Sequence, residues 1–144
     1  MIVKKISNKN EIQTIMIKCK DSFYSAKAKN IDFIEALSEK FCLNAEFYVA
    51  LDKDEVLGFI AFYCNNIKEK NSFISMIIVN SISQGKGVGT LLLKKVINIC
   101  NEKSFKTIRL EVDNNNKRAI GFYEKKGFKK IKGNENSSFY ELEL

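Results

Sequence analysis

Between residues 73 and 99 an apolar run, a glycine-rich loop and a helically periodic segment follow one another without a break. Phe73-Ile74-Ser75-Met76-Ile77-Ile78-Val79 is only a strand's length and apolar almost throughout, which predicts a strand at the centre of a sheet with both faces covered. Val88, Leu91, Leu92, Val96 and Ile99 recur at spacings of three and four, predicting an amphipathic helix packed on that strand. The joining loop is Gln84-Gly85-Lys86-Gly87-Val88-Gly89-Thr90. Its glycines let the backbone approach a ligand, and the first turn of the helix offers unpaired N–H groups at the positive end of its dipole. Such a place suits a pyrophosphate, with Lys86 available for a charge contact. Neither better-known phosphate motif fits: Lys86 is followed by Gly87 rather than Ser or Thr, and Thr90 stands where a dinucleotide fingerprint needs its third glycine.

The flanking segments extend this unit into a mixed α/β domain. Ile2–Ile6 alternates as a strand, and Ile12, Ile15, Met16, Cys19 and Phe23 share one helical stripe. A second helix is expected over Asp32–Phe41, with Ile34, Leu37 and Phe41 inward, after a polar connection Asp21–Lys29. Phe47–Leu51, the turn Asp52–Glu55 and Val56–Tyr63 form a hairpin, and a turn at Asn65–Asn71 leads into Ser72–Val79 as its third strand. After the glycine loop and its helix come a strand at Thr107–Val112, a helix at Asn116–Lys126 capped by Gly127, and closing strands at Phe128–Ile131 and Phe139–Leu144. The reading is one domain, residues 1–144, in which an antiparallel meander precedes a strand-helix-strand crossover.

Composition removes several kinds of chemistry. There is no histidine, so Ser-His and Cys-His pairs are excluded and no metal site is expected. The four cysteines are widely spaced without a Cys-x-x-Cys pair and read as reduced, mostly buried thiols. A net charge of +7 favours anionic ligands, but the lysines are scattered and no aromatic-basic motif accompanies them, so nucleic acid is not the expected partner. No apolar run is long enough for a membrane span, and the first residues do not read as a secretory signal, so a cytoplasmic location is the working expectation.

A second motif lies beyond the loop: Asn116-Lys117-Arg118-Ala119-Ile120-Gly121-Phe122-Tyr123-Glu124-Lys125-Lys126-Gly127-Phe128. Gln-x-x-Gly-x-Gly followed by Asn-x-x-Ala-x-x-x-Tyr-x-x-x-Gly-Phe resembles the GCN5-related N-acetyltransferase superfamily, over residues 72–128. The resemblance implies a fold with a splayed central pair of strands and acetyl-coenzyme A as cosubstrate. It also implies residue roles: Ile77, Ile78 and Val79 pairing with the pantetheine arm, Gln84, Gly85, Lys86, Gly87, Val88, Gly89 and Thr90 holding the pyrophosphate, Asn116 bonding the cofactor arm, and Tyr123 near the thioester sulfur.

The chemistry is consistent with those roles. An amine must be neutral to attack a thioester, and free alkyl amines have a pKa near ~10.4, so a base is required. Without histidine a carboxylate is the natural choice. Glu111 matches the general base of members resembling ribosomal-protein alanine acetyltransferases, while other members draw a carboxylate from the preceding strand, which here carries Ser72 and Ser75. A water-mediated route from Glu46 or Asp21 remains open. A phenol such as Tyr123 can protonate the departing thiolate, and backbone N–H groups beside Val79 can hold an oxyanion.

The expected acceptor is an amine, on a small molecule or a protein amino terminus. The early helices, Asp21–Lys29 and the late loop Lys132–Ser138 are expected to shape its site, with Phe23, Tyr24 and Phe33 as candidate lining residues. Two alternatives stand beside the enzyme: a non-catalytic coenzyme A-binding module, and a basic protein whose loop grips nucleic-acid phosphates. Asn116 and Tyr123 beside the loop favour the enzyme over the last. The chain is read as a monomer or homodimer, the closing strands offering an edge for a second copy.

Overall fold

A computed structural model describes all 144 residues. Its elements are β1 (Ile2–Lys5), α1 (Lys9–Cys19), α2 (Ile31–Asn44), β2 (Glu46–Asp52), β3 (Glu55–Asn66), β4 (Asn71–Val79), α3 (Val88–Glu102), β5 (Thr107–Asp113), α4 (Lys117–Lys125), β6 (Lys129–Gly133) and β7 (Ser137–Glu143). Short 3-10 turns occupy Lys20–Ser22, Lys27–Lys29 and Ser81–Ser83. Three helices start on an asparagine whose Oδ1 accepts from a first-turn N–H: Asn8 for α1, Asn30 for α2 and Asn116 for α4. The fourth, α3, starts on Gly87 with φ at +82° and no side-chain cap.

The strands form one sheet in the order β1-β2-β3-β4-β5-β7-β6, a mixed sheet in which β4 and β5 are the parallel pair, joined through α3. Helices α3 and α4 pack on one face around Leu92, Leu93, Val96, Ile108 and Leu110. Helices α1 and α2 cover part of the other around Ile12, Met16, Ile34, Phe41 and Phe59. Phe47 stacks on Phe59 at 5.0 Å within that second layer. Each such fully buried side chain contributes on the order of 1.5–3 kcal/mol of transfer free energy, which is what fixes the two layers against the sheet.

The decisive irregularity lies in β4. It pairs with β3 along its length, but with β5 only from Asn71 opposite Thr107 to Ile74 opposite Leu110. Beyond Ile74 the two strands part. The register against β3 shifts at the same place: Phe62 faces Ile74 and Ala61 faces Met76, which leaves Ser75 as an extra, exposed residue. A bulge bends its strand and re-aims the residues beyond it. From Met76 to Val79, therefore, β4 has one backbone edge paired to β3 and no strand on the other.

Several expectations change accordingly. Burial on both faces is not met: in the lower half of β4 Ser72 and Ile74 are buried on one face while Phe73 on the other is half-buried, and Met76 to Val79 are half-exposed where β5 has moved away. The inward stripe of α3 is rotated: Leu93 and Cys100 join Val88, Leu92 and Val96 in the core, and Leu91 and Ile99 are half-buried. Phe23 does not extend the stripe of α1, which ends at Cys19; the following 3-10 turn redirects the chain, and Phe23 packs edge-on against Phe59 at 6.0 Å. The closing strands are out of sequence order, β7 lying between β5 and β6.

Candidate active site

The gap between β4 and β5 opens into a cleft of about 460 Å³. Its walls are Ile77, Ile78 and Val79 of β4, the turn from Gln84 to Thr90, and Asn116, Arg118, Ala119, Phe122 and Tyr123 at the start and along one side of α4. Ser22 and Tyr24 form its lip.

Each wall has a local cause. Asn80 anchors the end of β4, its N–H and Nδ2 donating to the carbonyls of Leu57 and Val56, both at 2.9 Å. Gln84 then folds back so that Nε2 donates to the Val79 carbonyl at 3.2 Å, pinning the loop to the strand. Gly85 and Gly87 take φ near +80°, a region that side-chain-bearing residues enter at a cost. A Cβ added at either would meet nothing within 4 Å, so both face open space. Gly89 is different: a Cβ there would lie 3.3 Å from the Phe122 ring and 3.7 Å from Val79. Its missing side chain lets the start of α3 close on α4 and the end of β4, which brings the three walls together.

The uncapped start of α3 presents the N–H groups of its first turn without a side-chain acceptor, where the other helices each spend an asparagine on this task. Together with the dipole, that makes the foot of the cleft suited to a diphosphate. Further along, Tyr123 is only 6% exposed, its ring packed edge-on between Phe122 at 5.4 Å and Phe128 at 5.5 Å, yet it lines the cleft. Burial pushes its phenol well above the usual tyrosine range, so it carries its proton throughout the neutral range.

The expected site residues fall into three groups. Ile77, Ile78, Val79, Gln84, Gly85, Gly87, Gly89, Thr90, Asn116 and Tyr123 come together on the cleft. Lys86 is exposed and outside its lining, and the Val88 side chain is in the core, leaving that residue its backbone N–H alone. Asn116 uses Oδ1 to cap α4 at 3.3 Å from the Ala119 N–H. Glu111 does not line the cleft; it is exposed on β5 and accepts a hydrogen bond from Ser137 Oγ at 2.5 Å. Because Leu110 and Val112 point into the α3 layer, Glu111 faces the opposite side of the sheet from Tyr123. Of the candidate acceptor aromatics only Tyr24 reaches the cleft. Asp21 is exposed, and Glu46 is paired with Lys5 at 2.9 Å. Arg118, Ala119 and Phe122 line the cleft unforeseen, and Ser22 reaches it from the Asp21–Lys29 connection; the helical spacing of Ala119 and Phe122 with Tyr123 was the signal for those two.

Solved structures share this architecture. The chain matches a GNAT-family protein from Desulfovibrio desulfuricans over 99% of its length and 98% of that chain, with a TM-score of 0.84 at 17% identity. It matches the PaiA N-acetyltransferase of Thermoplasma acidophilum, solved with coenzyme A, over 100% of both chains with a TM-score of 0.80 at 20% identity. A Bacillus anthracis protein solved with acetyl coenzyme A matches 70% of this chain and 63% of its own, with a TM-score of 0.64 at 27% identity. The fold is thus that of the GNAT acetyltransferases.

The chain itself belongs to the acetyltransferase (GNAT) family, whose model matches residues 10–128. An uncharacterised N-acetyltransferase of Methanocaldococcus jannaschii is 34% identical over 86 residues, 57% of this chain and 38% of that protein. An uncharacterised Bacillus subtilis protein is 33% identical over 78 residues, 54% of this chain and 46% of its own. The chain thus spans less than half the length of these two relatives.

Proposed function

We propose that residues 1–144 act as one N-acetyltransferase domain that moves an acetyl group directly from acetyl-coenzyme A to a primary amine. One observation carries the reading: an uncapped helix start, an unpaired strand edge and a proton-bearing phenol stand in line along a single cleft. The residues suit the cosubstrate by their chemistry. The N–H groups of Val88, Gly89 and Thr90 bind the diphosphate, and Gly85 and Gly87 leave room for it. The free edge of Met76–Val79 binds the pantetheine amides as an added strand would. Coenzyme A, when bound, supplies the activated acetyl thioester.

Tyr123 holds a proton at Oη for the departing sulfur, and the same burial that keeps it protonated keeps water away. Glu111 accepts the amine's proton from the far side of the sheet, so the acceptor enters through the gap between the parted strands. The acceptor is a small amine or a peptide amino terminus, with Tyr24 at the lip of its path. No helix is long and apolar enough to cross a membrane.

A thiol-release screen with acetyl-coenzyme A against polyamines, amino sugars and peptide amino termini tests the activity, and calorimetry with coenzyme A tests the cleft. Binding with turnover of some amine supports the enzyme. Binding without any turnover makes the chain a coenzyme A-binding regulatory module, and absence of binding overturns both.

A further inference from the structure

We propose that the turn between β6 and β7 is a positioning device for the acceptor side, with Ser137 fixing the carboxylate of Glu111; this rests on Glu111 being the base. The two residues share the sheet face opposite α3 and α4, since their neighbours Ser138, Tyr140, Leu110 and Val112 are buried on the other face. Ser137 Oγ donates to Glu111 Oε2 at 2.5 Å. An exposed glutamate on a strand otherwise samples several rotamers, whereas a base must stay within hydrogen-bond reach of its proton. Tying one carboxylate oxygen fixes the side chain and leaves the other oxygen for the amine.

Ser137 is itself held. Its N–H and that of Asn136 donate to Asn134 Oδ1 at 3.0 and 2.8 Å, and Asn134 N–H donates back to the Ser137 carbonyl at 2.9 Å. The turn is locked to the end of β5 as well: Asn114 Nδ2 donates to the Asn134 carbonyl at 2.7 Å, and Ser138 Oγ donates to Asn114 Oδ1 at 2.5 Å. A Cβ at Gly133 would sit 2.6 Å from Ser138 Oγ, so the turn closes this tightly only with glycine there. Asn114 lies between Glu111 and Asn116 in the chain, so one turn holds the segment carrying both the acceptor-side carboxylate and the cap of α4. The other charged groups of β5, β6 and β7 on this face include Arg109, paired with Glu141 at 2.6 Å, Asp113, Glu143 opposite Thr107, Lys129 opposite Glu141, and Lys132, whose Nζ lies 4.9 Å from the centre of the Phe139 ring.

The test compares S137A, S137T and E111Q in the full chain, with thermal melts to confirm folding. Carboxyl carbon NMR on the protein alone follows the resonance that E111Q removes. Its chemical shift should move in S137A, because the hydrogen bond donated to the carboxylate is lost, and should return in S137T. With acetyl-coenzyme A and the best amine of the screen, kcat in S137A should fall about tenfold, part of the ~10²–10⁴-fold a positioned base supplies, with KM for acetyl-coenzyme A unchanged. An unmoved resonance, or a rate loss that S137T does not restore, overturns the positioning role. A resonance that moves while E111Q keeps full turnover overturns instead the assignment of the base on which the proposal rests.

Discussion

Tyr123 illustrates how burial sets chemistry at a single side chain. Its neighbours are apolar rings, and desolvation is what raises its phenol. Replacing it with phenylalanine keeps the packing and removes the proton, so kcat should fall by about 10²-fold or more while the affinity for coenzyme A is unchanged, as steady-state kinetics and calorimetry would show. The same shift has a consequence for stability. The folded phenol titrates above the unfolded one, so its contribution is fully present below the unfolded value of ~10 and is lost as pH rises through the folded value. Urea unfolding at pH 8 and pH 11 should accordingly show a smaller alkaline loss in Tyr123→Phe than in the parent. Tyr63 offers the opposite case. Its hydroxyl is buried without a hydrogen-bond partner, against Phe41. An orphaned polar group costs about 1–3 kcal/mol, so Tyr63→Phe should raise the urea midpoint by the equivalent of about 1 kcal/mol and leave turnover alone. No residue type signals such an orphan, because it is a property of the surroundings.

At the scale of elements, the start of α3 and the upper half of β4 form two walls of the cleft. The alternation of glycines was read as a close approach of backbone to ligand; what the structure shows there is Gly85 and Gly87 at positive φ with open space beside them. Gly87→Ala should cost about 1 kcal/mol through its left-handed backbone and put a methyl in the open space proposed for the diphosphate, so calorimetry should find coenzyme A binding at least about tenfold weaker with the fold intact. Weakened folding without weakened binding would point to a turn with no ligand. The splay of β4 was reachable only through the family resemblance. Hydropathy read Phe73–Val79 as one evenly buried strand, because an apolar run carries no mark of where its neighbour departs or where an extra residue enters the register.

At the scale of the whole molecule, two apolar layers share one sheet, and both outer strands resist a further partner. β6 carries Lys129, Lys130 and Lys132 with a register shift between the last two, and β1 is four residues long and ends in Lys4 and Lys5. Charged, bulged and short edges disfavour pairing between sheets. Light scattering on the 144-residue chain should therefore give a monomer of 16.5 kDa. What the order of residues determined unaided was local: which segments become helices or strands, that Gly127 ends the last helix, and that a glycine loop stands at a helix start. Those depend on neighbours a few positions away. The tertiary structure alone decided that β7 slips between β5 and β6, that β4 loses a partner above Ile74, and that Ser137 meets Glu111, because each depends on which distant segment wins a place against the sheet.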